Sequence, residues 1–361
     1  MSDVEKNIGT HKPEFDGEWV RLGDVCAKGK SNLRQKDLKN DGPYPVYGAS
    51  GIVGFSSDYQ NAEAYVAVVK DGAGVGRVMA CEPRSSVLGT MQALLPGKGT
   101  ERDYLLHLVR SMDLGKGFTG STIPHIYFKD YGKTLVRALS REQQVEVANR
   151  LSGIDRLISQ GKQQLSFLDD LVKSRFVEMF GDPKSNPHGW DIGTIETIAA
   201  NLDAKRVPIT QSDREEGPYP YYGATGAVDS VSGYIFDERL LLVSEDGANL
   251  LARTYPIAFS IFGKTWVNNH AHVLKVQNEE TQVFLEKLIN MMDISEFITG
   301  STQPKLTQKQ LNQIPVMLPP MSLQRQFAEF VARVDKLGFD VQQQIEKLET
   351  LKQSLMQEYF G

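Results

Sequence analysis

A chain of 361 residues with 40% apolar, 24% charged and 9% aromatic residues, 32 Gly and 16 Pro has the size of two to three globular domains, and this balance excludes collagen-like, disordered and disulfide-stapled chains. Its 40 basic and 45 acidic side chains leave a net charge of −5, without the basic excess of a free-standing nucleic-acid binder. Two cysteines, Cys26 and Cys81, and six histidines make neither a disulfide framework nor a zinc pattern, the N-terminus lacks a signal-peptide pattern, and no apolar run approaches a membrane span, so a cytoplasmic protein is expected.

Charge is unevenly spread. Residues 1–140 carry 18 basic and 16 acidic side chains, residues 141–180 six of each, residues 181–322 eleven and 17, and residues 323–361 five and six. A nucleic-acid surface on this chain is therefore a local patch, or one completed by a partner.

In chain order, residues 1–14 read as a flexible tail. The stretch 15–139 is punctuated by Gly and Pro and holds strand-like runs such as Tyr65-Val66-Ala67-Val68-Val69. From Ser140 to Phe180 there is no Pro, and Val147, Leu151, Ile154, Ile158, Leu165, Leu168 and Val172 recur in three- and four-residue steps with Gly161 in the vacant slot. That is the a/d seam of a long helix over 140–181. A second strand-rich stretch, 182–321, contains the run His272-Val273-Leu274-Lys275-Val276, and a second helix over 322–361 carries Phe327, Val331, Val334, Val341, Ile345 and Leu348 in register, with Gly338 vacant. Ser140 and Ser322 are the expected N-caps, the first with Gln143 placed for a capping box. Helices of about 40 residues are rods of about 60 Å. Two such rods with apolar seams are expected to pair antiparallel, with the strand-rich domains at opposite ends about a pseudo-twofold axis; the competing arrangement folds each helix onto its own domain.

The chain is also one plan written twice. Gly42-Pro43-Tyr44-Pro45-Val46-Tyr47-Gly48-Ala49-Ser50-Gly51 returns as Gly217-Pro218-Tyr219-Pro220-Tyr221-Tyr222-Gly223-Ala224-Thr225-Gly226, and Asp71-Gly72-Ala73 as Asp246-Gly247-Ala248, both 175 residues later. Thr119-Gly120-Ser121-Thr122 with Pro124 returns as Thr299-Gly300-Ser301-Thr302 with Pro304, and Phe180-Gly181 as Phe360-Gly361, both 180 residues later. Turn chemistry explains the composition of these motifs but not their order. Two homologous halves follow, with a five-residue insertion in the second between Ala248 and Thr299.

Catalytic constellations are missing. Gly72-Ala73-Gly74-Val75-Gly76 lacks the phosphate-loop and dinucleotide patterns and loses its glycines in the second copy, so it reads as a turn. His270 and His272, two apart in a strand-like run, point to opposite faces and make no metal pair. Binding chemistry recurs instead. Tyr47 with Ser50, Tyr222 with Thr225, and the Ser121, Thr122, Ser301 and Thr302 hydroxyls flanked by Lys116 and Lys305 suit phosphate oxygens, or else close the domain before its helix. Residues that differ between the copies are the candidates for base reading: Lys70, Arg77 and Gln92 in the first, and Lys205, Arg206, Arg253, His270 and His272 in the second.

In order, the motifs resemble the DNA-specificity (S) subunits of type I restriction-modification systems. The likeness runs from Trp19-Val20-Arg21-Leu22-Gly23-Asp24-Val25, echoed at Trp190-Asp191-Ile192-Gly193-Thr194-Ile195, through the Tyr-Pro-x-Tyr-Gly-Ala turn, Leu88-Gly89-Thr90-Met91 and the Gly-Ser-Thr-x-Pro segment to Phe360-Gly361. The resemblance implies an α/β (α+β) fold in which two target recognition domains are separated by the paired helices, and a non-catalytic subunit that reads a bipartite double-stranded DNA target with a fixed gap. Half-sites in the major groove would then lie about one helical turn, roughly 34–36 Å, apart. It implies two methyltransferase subunits and motor-nuclease subunits as partners, and no membrane. S-adenosylmethionine, ATP and Mg would be bound by those partners and no cofactor by this chain. The alternatives are a stand-alone bilobal DNA-binding protein and a duplicated-domain enzyme with an unrecognised site.

Overall fold

The computed structural model describes residues 17–120, 124–300 and 302–361; the 1–14 tail lies outside them. The first copy forms β1 (Glu18–Arg21), α1 (Leu22–Val25), β2 (Cys26–Lys28), β3 (Tyr44–Gly48), β4 (Gly51–Ser56), β5 (Tyr65–Val69), β6 (Val78–Cys81), β7 (Ser86–Val87), β8 (Met91–Pro96), α2 (Arg102–Ser111), α3 (Phe128–Tyr131), β9 (Leu135–Ala138) and the long α4 (Arg141–Phe180). The second forms β10 (Ile192–Thr194), α5 (Ile195–Ile198), β11 (Ala199–Asn201), β12 (Tyr219–Gly223), β13 (Gly226–Val231), β14 (Phe236–Asp237), β15 (Leu240–Ser244), α6 (Asn249–Ala252), β16 (Ala258–Ile261), β17 (Lys264–Val267), β18 (Ala271–Val276), α7 (Glu279–Met291), α8 (Gln308–Asn312), β19 (Pro315–Met317) and the long α9 (Met321–Phe360). No helix among the described residues is long and apolar enough to cross a membrane.

Two compact units emerge, and their border runs through both long helices. One unit holds the residues up to Lys162 together with Gln343–Gly361; the other holds Gln163–Gln342. Each long helix contributes one half to either core.

In the first unit, β5 is central to the antiparallel sheet β2-β8-β5-β6 and every one of its residues is buried. Strand alternation splits them: Val66 and Val68 pack with Leu105 and Val109 of α2, Val147 and Leu151 of α4 and Tyr359 of α9. Tyr65, Ala67 and Val69 face Tyr47 and Val87 of a second sheet, β4-β3-β7. Helices, sheet and smaller sheet make three layers, and β1 pairs with β9 beside them. The second unit repeats this with β11-β18-β15-β16, where Leu241 and Val243 face Phe176, Phe284 and Phe327 while Leu240 and Leu242 face Phe236 and Val267 of β13-β12-β17-β14. Even the β-bulge recurs, between Val46 and Tyr47 in one hairpin and Tyr221 and Tyr222 in the other.

Within each unit the long helices pair antiparallel. In the first, the Arg150 guanidinium donates to the Tyr359 hydroxyl at 3.3 Å, Lys352 pairs with Asp155 at 2.5 Å and Lys162 with Glu349 at 3.1 Å, so numbers rise along one helix as they fall along the other. In the second, Phe327 lies 5.5 Å from Phe176 and 5.3 Å from Phe180, and Arg175 stacks over Phe330. Val147, Leu151, Ile154, Ile158, Val172, Phe327, Val331, Val334 and Ile345 are buried and Leu165, Leu168, Val341 and Leu348 half-buried, which puts the whole a/d seam on the inner face. The repeated Phe-Gly ends matter for the same reason. Phe180 is fully buried among Phe176, Phe284 and Phe327, and Phe360 meets Tyr104 at 5.6 Å beside the buried Tyr359.

At the start of α4, the Gln143 amide donates to Ser140 Oγ and the Ser140 amide to Gln143 Oε1, a capping box. The second helix departs from expectation. It begins at Met321, where the Pro320 carbonyl accepts the first turn's bonds, so Ser322 lies inside the helix and does not cap it. A device absent from the sequence reading ties both helices to their domains: buried Gln144 donates to the Leu139 carbonyl and accepts from the Glu101 amide, and buried Gln324 donates to the Pro319 carbonyl and accepts from Thr281.

A Cβ built on Gly338 would meet Leu168 and Leu165 methyls at 3.8 and 3.9 Å, ordinary contact distances. Gly338→Ala is therefore expected to raise stability by about 1 kcal/mol, the helix-propensity difference. Phe180→Ala is expected to cost about 3–5 kcal/mol. Urea denaturation of the variants checks both.

Candidate nucleic-acid interface

In each unit the loops at the C-terminal end of the central strand converge. In the first, the Gly72 amide donates to the Pro124 carbonyl at 3.1 Å and the Ile126 amide to the Lys70 carbonyl at 3.0 Å. Thr119 and His125 exchange two backbone hydrogen bonds of 2.9 and 2.7 Å, closing the Gly-Ser-Thr loop, and Gly120 takes a positive φ of 94° that a side chain would strain. Arg77 Nη1 donates to the Ala49 carbonyl at 2.8 Å, drawing the β3–β4 hairpin tip to the same edge. Asp71 accepts from His125 Nδ1 at 2.7 Å.

The second unit rebuilds that edge with other side chains. The Gly247 amide donates to the Pro304 carbonyl, Thr299 and Lys305 exchange backbone bonds of 2.9 and 2.7 Å, and Gly300 has φ 86°. Ser244 Oγ, not an arginine, holds the Ala224 carbonyl at the hairpin tip. Asp246 accepts from His270 Nδ1 at 2.9 Å. The loop after the central strand runs from Glu245 to Ile257, five residues longer than Lys70–Arg77, so the insertion lies here and builds α6.

The sequence candidates divide accordingly. Ser50 and Arg77 are exposed and Lys70 half-buried at the first edge; Thr225, His270, Thr302 and Lys305 are exposed and Tyr222 half-buried at the second. Lys205 is exposed, and Lys116 is exposed and paired with Asp113 at 2.7 Å. Ser121, Thr122 and Ser301 lie outside the described residues.

Five candidates turn inward. Tyr47 is 8% exposed, packed between the two sheets of its unit, where its hydroxyl accepts from the Glu82 amide, and Gln92 is 3% exposed with its amide on the Ala93 carbonyl. Both lie on strands whose two faces are covered. Arg253, with φ 51°, donates to the Leu250, Ile289 and Met292 carbonyls and so closes the ends of α6 and α7. Arg206 is spent on Glu245 at 2.6 Å and the Ala271 carbonyl at 2.7 Å. His272 is fully buried, its Nδ1 on Asp203 at 2.6 Å and its Nε2 on the Leu306 carbonyl at 2.8 Å. These groups brace the loop edge from beneath.

Asp203, Glu245 and His272 place their ligand atoms within 4.8 Å of one another, spacing a metal ion could use. Arg206 and Lys305 already face the same carboxylates, Lys305 reaching Glu245 at 3.1 Å, so the cluster balances its own charge. Burial pushes the Asp203 carboxyl up, but the hydrogen bond and charge of His272, the Val273 amide and Arg206 outweigh it and hold the group below the ordinary carboxylate range. Neither cysteine offers a thiolate: burial pushes Cys26 and Cys81 each up to about 12.

The family described as Type I restriction modification DNA specificity domain matches residues 16–166 and again 187–350. The chain belongs to that family. A type I restriction enzyme specificity subunit of Haemophilus influenzae is 31% identical over 170 residues, 47% of this chain and 40% of that protein. The MjaVIII specificity subunit of Methanocaldococcus jannaschii is 24% identical over 96% of this chain and 92% of its own length. The crystal structure of the type I restriction-modification S subunit from M. genitalium shares the fold, with a TM-score of 0.63 at 16% identity over 98% of both chains. The two matched segments correspond to the two copies of the repeated scaffold, each with its own loop edge.

The buried cluster makes a stability prediction. Because folded Asp203 titrates below its ordinary value, the unfolded chain takes up that proton first as pH falls; the stabilisation is complete above about pH 4 and lost below it. His272→Gln, which installs the residue that Gln92 supplies in the first unit, is expected to cost about 3 kcal/mol at pH 7 and less at pH 3. Urea titrations at the two pH values measure the difference.

Proposed function

We propose that this chain reads a bipartite double-stranded DNA target, one half-site per unit, within a type I restriction-modification complex. One observation carries the reading: the same scaffold is built twice, with the same turns and loop closures, yet its two loop edges present different chemistry. Lys70, Thr90 and His125 mark the first, where the second has Glu245, His270 and Lys305. A repeated frame with varied edges suits two dissimilar half-sites, and the long helices would set the gap between them.

The net charge of −5 argues for affinity supplied by partners. We assign those partners as two methyltransferase subunits, which would bind S-adenosylmethionine, and motor-nuclease subunits, which would use ATP and Mg. Exposed apolar side chains on the long helices of the second unit, Phe167 and Phe339 at 61% and 64% and Leu171 and Leu337 beside them in sequence, support a docking role. A cytoplasmic setting accords with the two free, buried cysteines.

Co-expression with a methyltransferase subunit is expected to yield a complex of about two methyltransferases per chain, and methylome sequencing of those cells a split motif with a constant gap. A chain that purifies alone, or an undivided motif, would contradict the proposal.

A further inference from the structure

The turn Asp-Gly-Ala occurs in both units, and its aspartate does the same thing in each: it accepts a hydrogen bond from a histidine Nδ1, Asp71 from His125 at 2.7 Å and Asp246 from His270 at 2.9 Å. The two histidines are not counterparts. His125 occupies the place of Lys305, since each exchanges backbone bonds with its threonine across the Gly-Ser-Thr loop. His270 occupies the place of Thr90, since both offer the carbonyl that receives the amide following the central strand. Lys305 was available to satisfy Asp246, yet it turns to Glu245 at 3.1 Å, and a histidine from another loop meets the aspartate. The same pair has been reached by two routes.

A carboxylate on Nδ1 fixes where that hydrogen lies and which way the ring points, so Nε2 becomes an oriented contact atom. Neither Nε2 has a hydrogen-bond partner among the described residues, and the His125 and His270 side chains are 35% and 50% exposed at the loop edges. His272, by contrast, has both nitrogens bonded within the core. Phosphate positioning would suit groups held constant between the copies, whereas these positions exchange His for Lys and Thr for His within a constant frame, as base reading requires.

We propose that His125 and His270 are specificity-determining residues, each contacting a base edge in the half-site read by its own unit through Nε2, with Asp71 and Asp246 as positioning residues. The assignment rests on the reading of the chain as a DNA-specificity subunit.

The test uses the complex with its methyltransferase subunits, once its motif is known, and duplexes substituted one base pair at a time. His125→Ala is expected to erase the preference at one position of one half-site, with about a tenfold loss of affinity for the original duplex, and to leave the other half-site untouched; His270→Ala does the converse. Asp71→Ala relaxes the same position as His125→Ala, and the double variant is no worse than either. Should an alanine variant fail to fold, His125→Gln, checked for an unchanged melting temperature, takes its place. Unaltered preferences in folded variants, a uniform loss across all duplexes, or both histidines affecting one half-site would overturn the assignment. An undivided motif from the unaltered complex would refute the functional reading itself, a result distinct from a split motif that these substitutions leave intact.

Discussion

Everything in this molecule depends on the apolar seam between its two long helices. Neither helix completes a unit alone. Val147 and Leu151 from the start of α4 meet the first unit's sheet, but that core also contains Tyr359 from the far end of α9. Phe327 and Val331 from the start of α9 meet the second unit's sheet, whose core likewise takes Phe176 and Phe180 from the end of α4. A fully buried aromatic contributes several kcal/mol, a large fraction of a domain's net stability, so Phe180 closes one core and Tyr359, beside the half-buried Phe360, the other.

On this repeated frame the two loop edges carry different side chains. Thr119 and His125 in the first unit, and Thr299 and Lys305 in the second, exchange the same pair of backbone hydrogen bonds. The side chains beneath them are unrelated: the first unit puts Gln92 where the second puts His272 within a buried ionic cluster. The second edge can carry so many acids because Arg206 and Lys305 offset them locally. Being balanced, the buried cluster adds nothing to the acidic excess of residues 181–322, which is carried by other side chains.

Much of this was legible in the sequence. Ordered repeats at two offsets disclosed the duplication and bracketed its insertion, and three- and four-residue steps disclosed the seam, because helix periodicity and chain order survive without coordinates. What failed was the direction of individual side chains. Tyr47, Gln92 and His272 have the chemistry of DNA contacts but lie on strands covered on both faces, which residue type does not reveal; Tyr47 follows a bulge that re-aims the strand. Arg206 and Arg253 were unreadable for a related reason, since their acceptors are carbonyls and carboxylates distant in the chain. Ser322 was displaced as a cap by the Pro319-Pro320 pair just before the helix. His125 escaped notice because its partner, Asp71, is 54 residues away, although its place immediately after Thr-Gly-Ser-Thr-x-Pro was a signal in plain view.

If the seam is the ruler that fixes the gap, lengthening it must change the gap and nothing else. Inserting one heptad into each long helix at facing positions, after Lys162 and before Glu349, preserves the a/d pattern and adds about 10 Å of helix. Methylome sequencing of cells carrying this chain and its methyltransferase is the direct measurement. The account requires the original split motif to disappear, and any motif that remains to carry the same two half-sequences at a longer separation. An unchanged gap would contradict it.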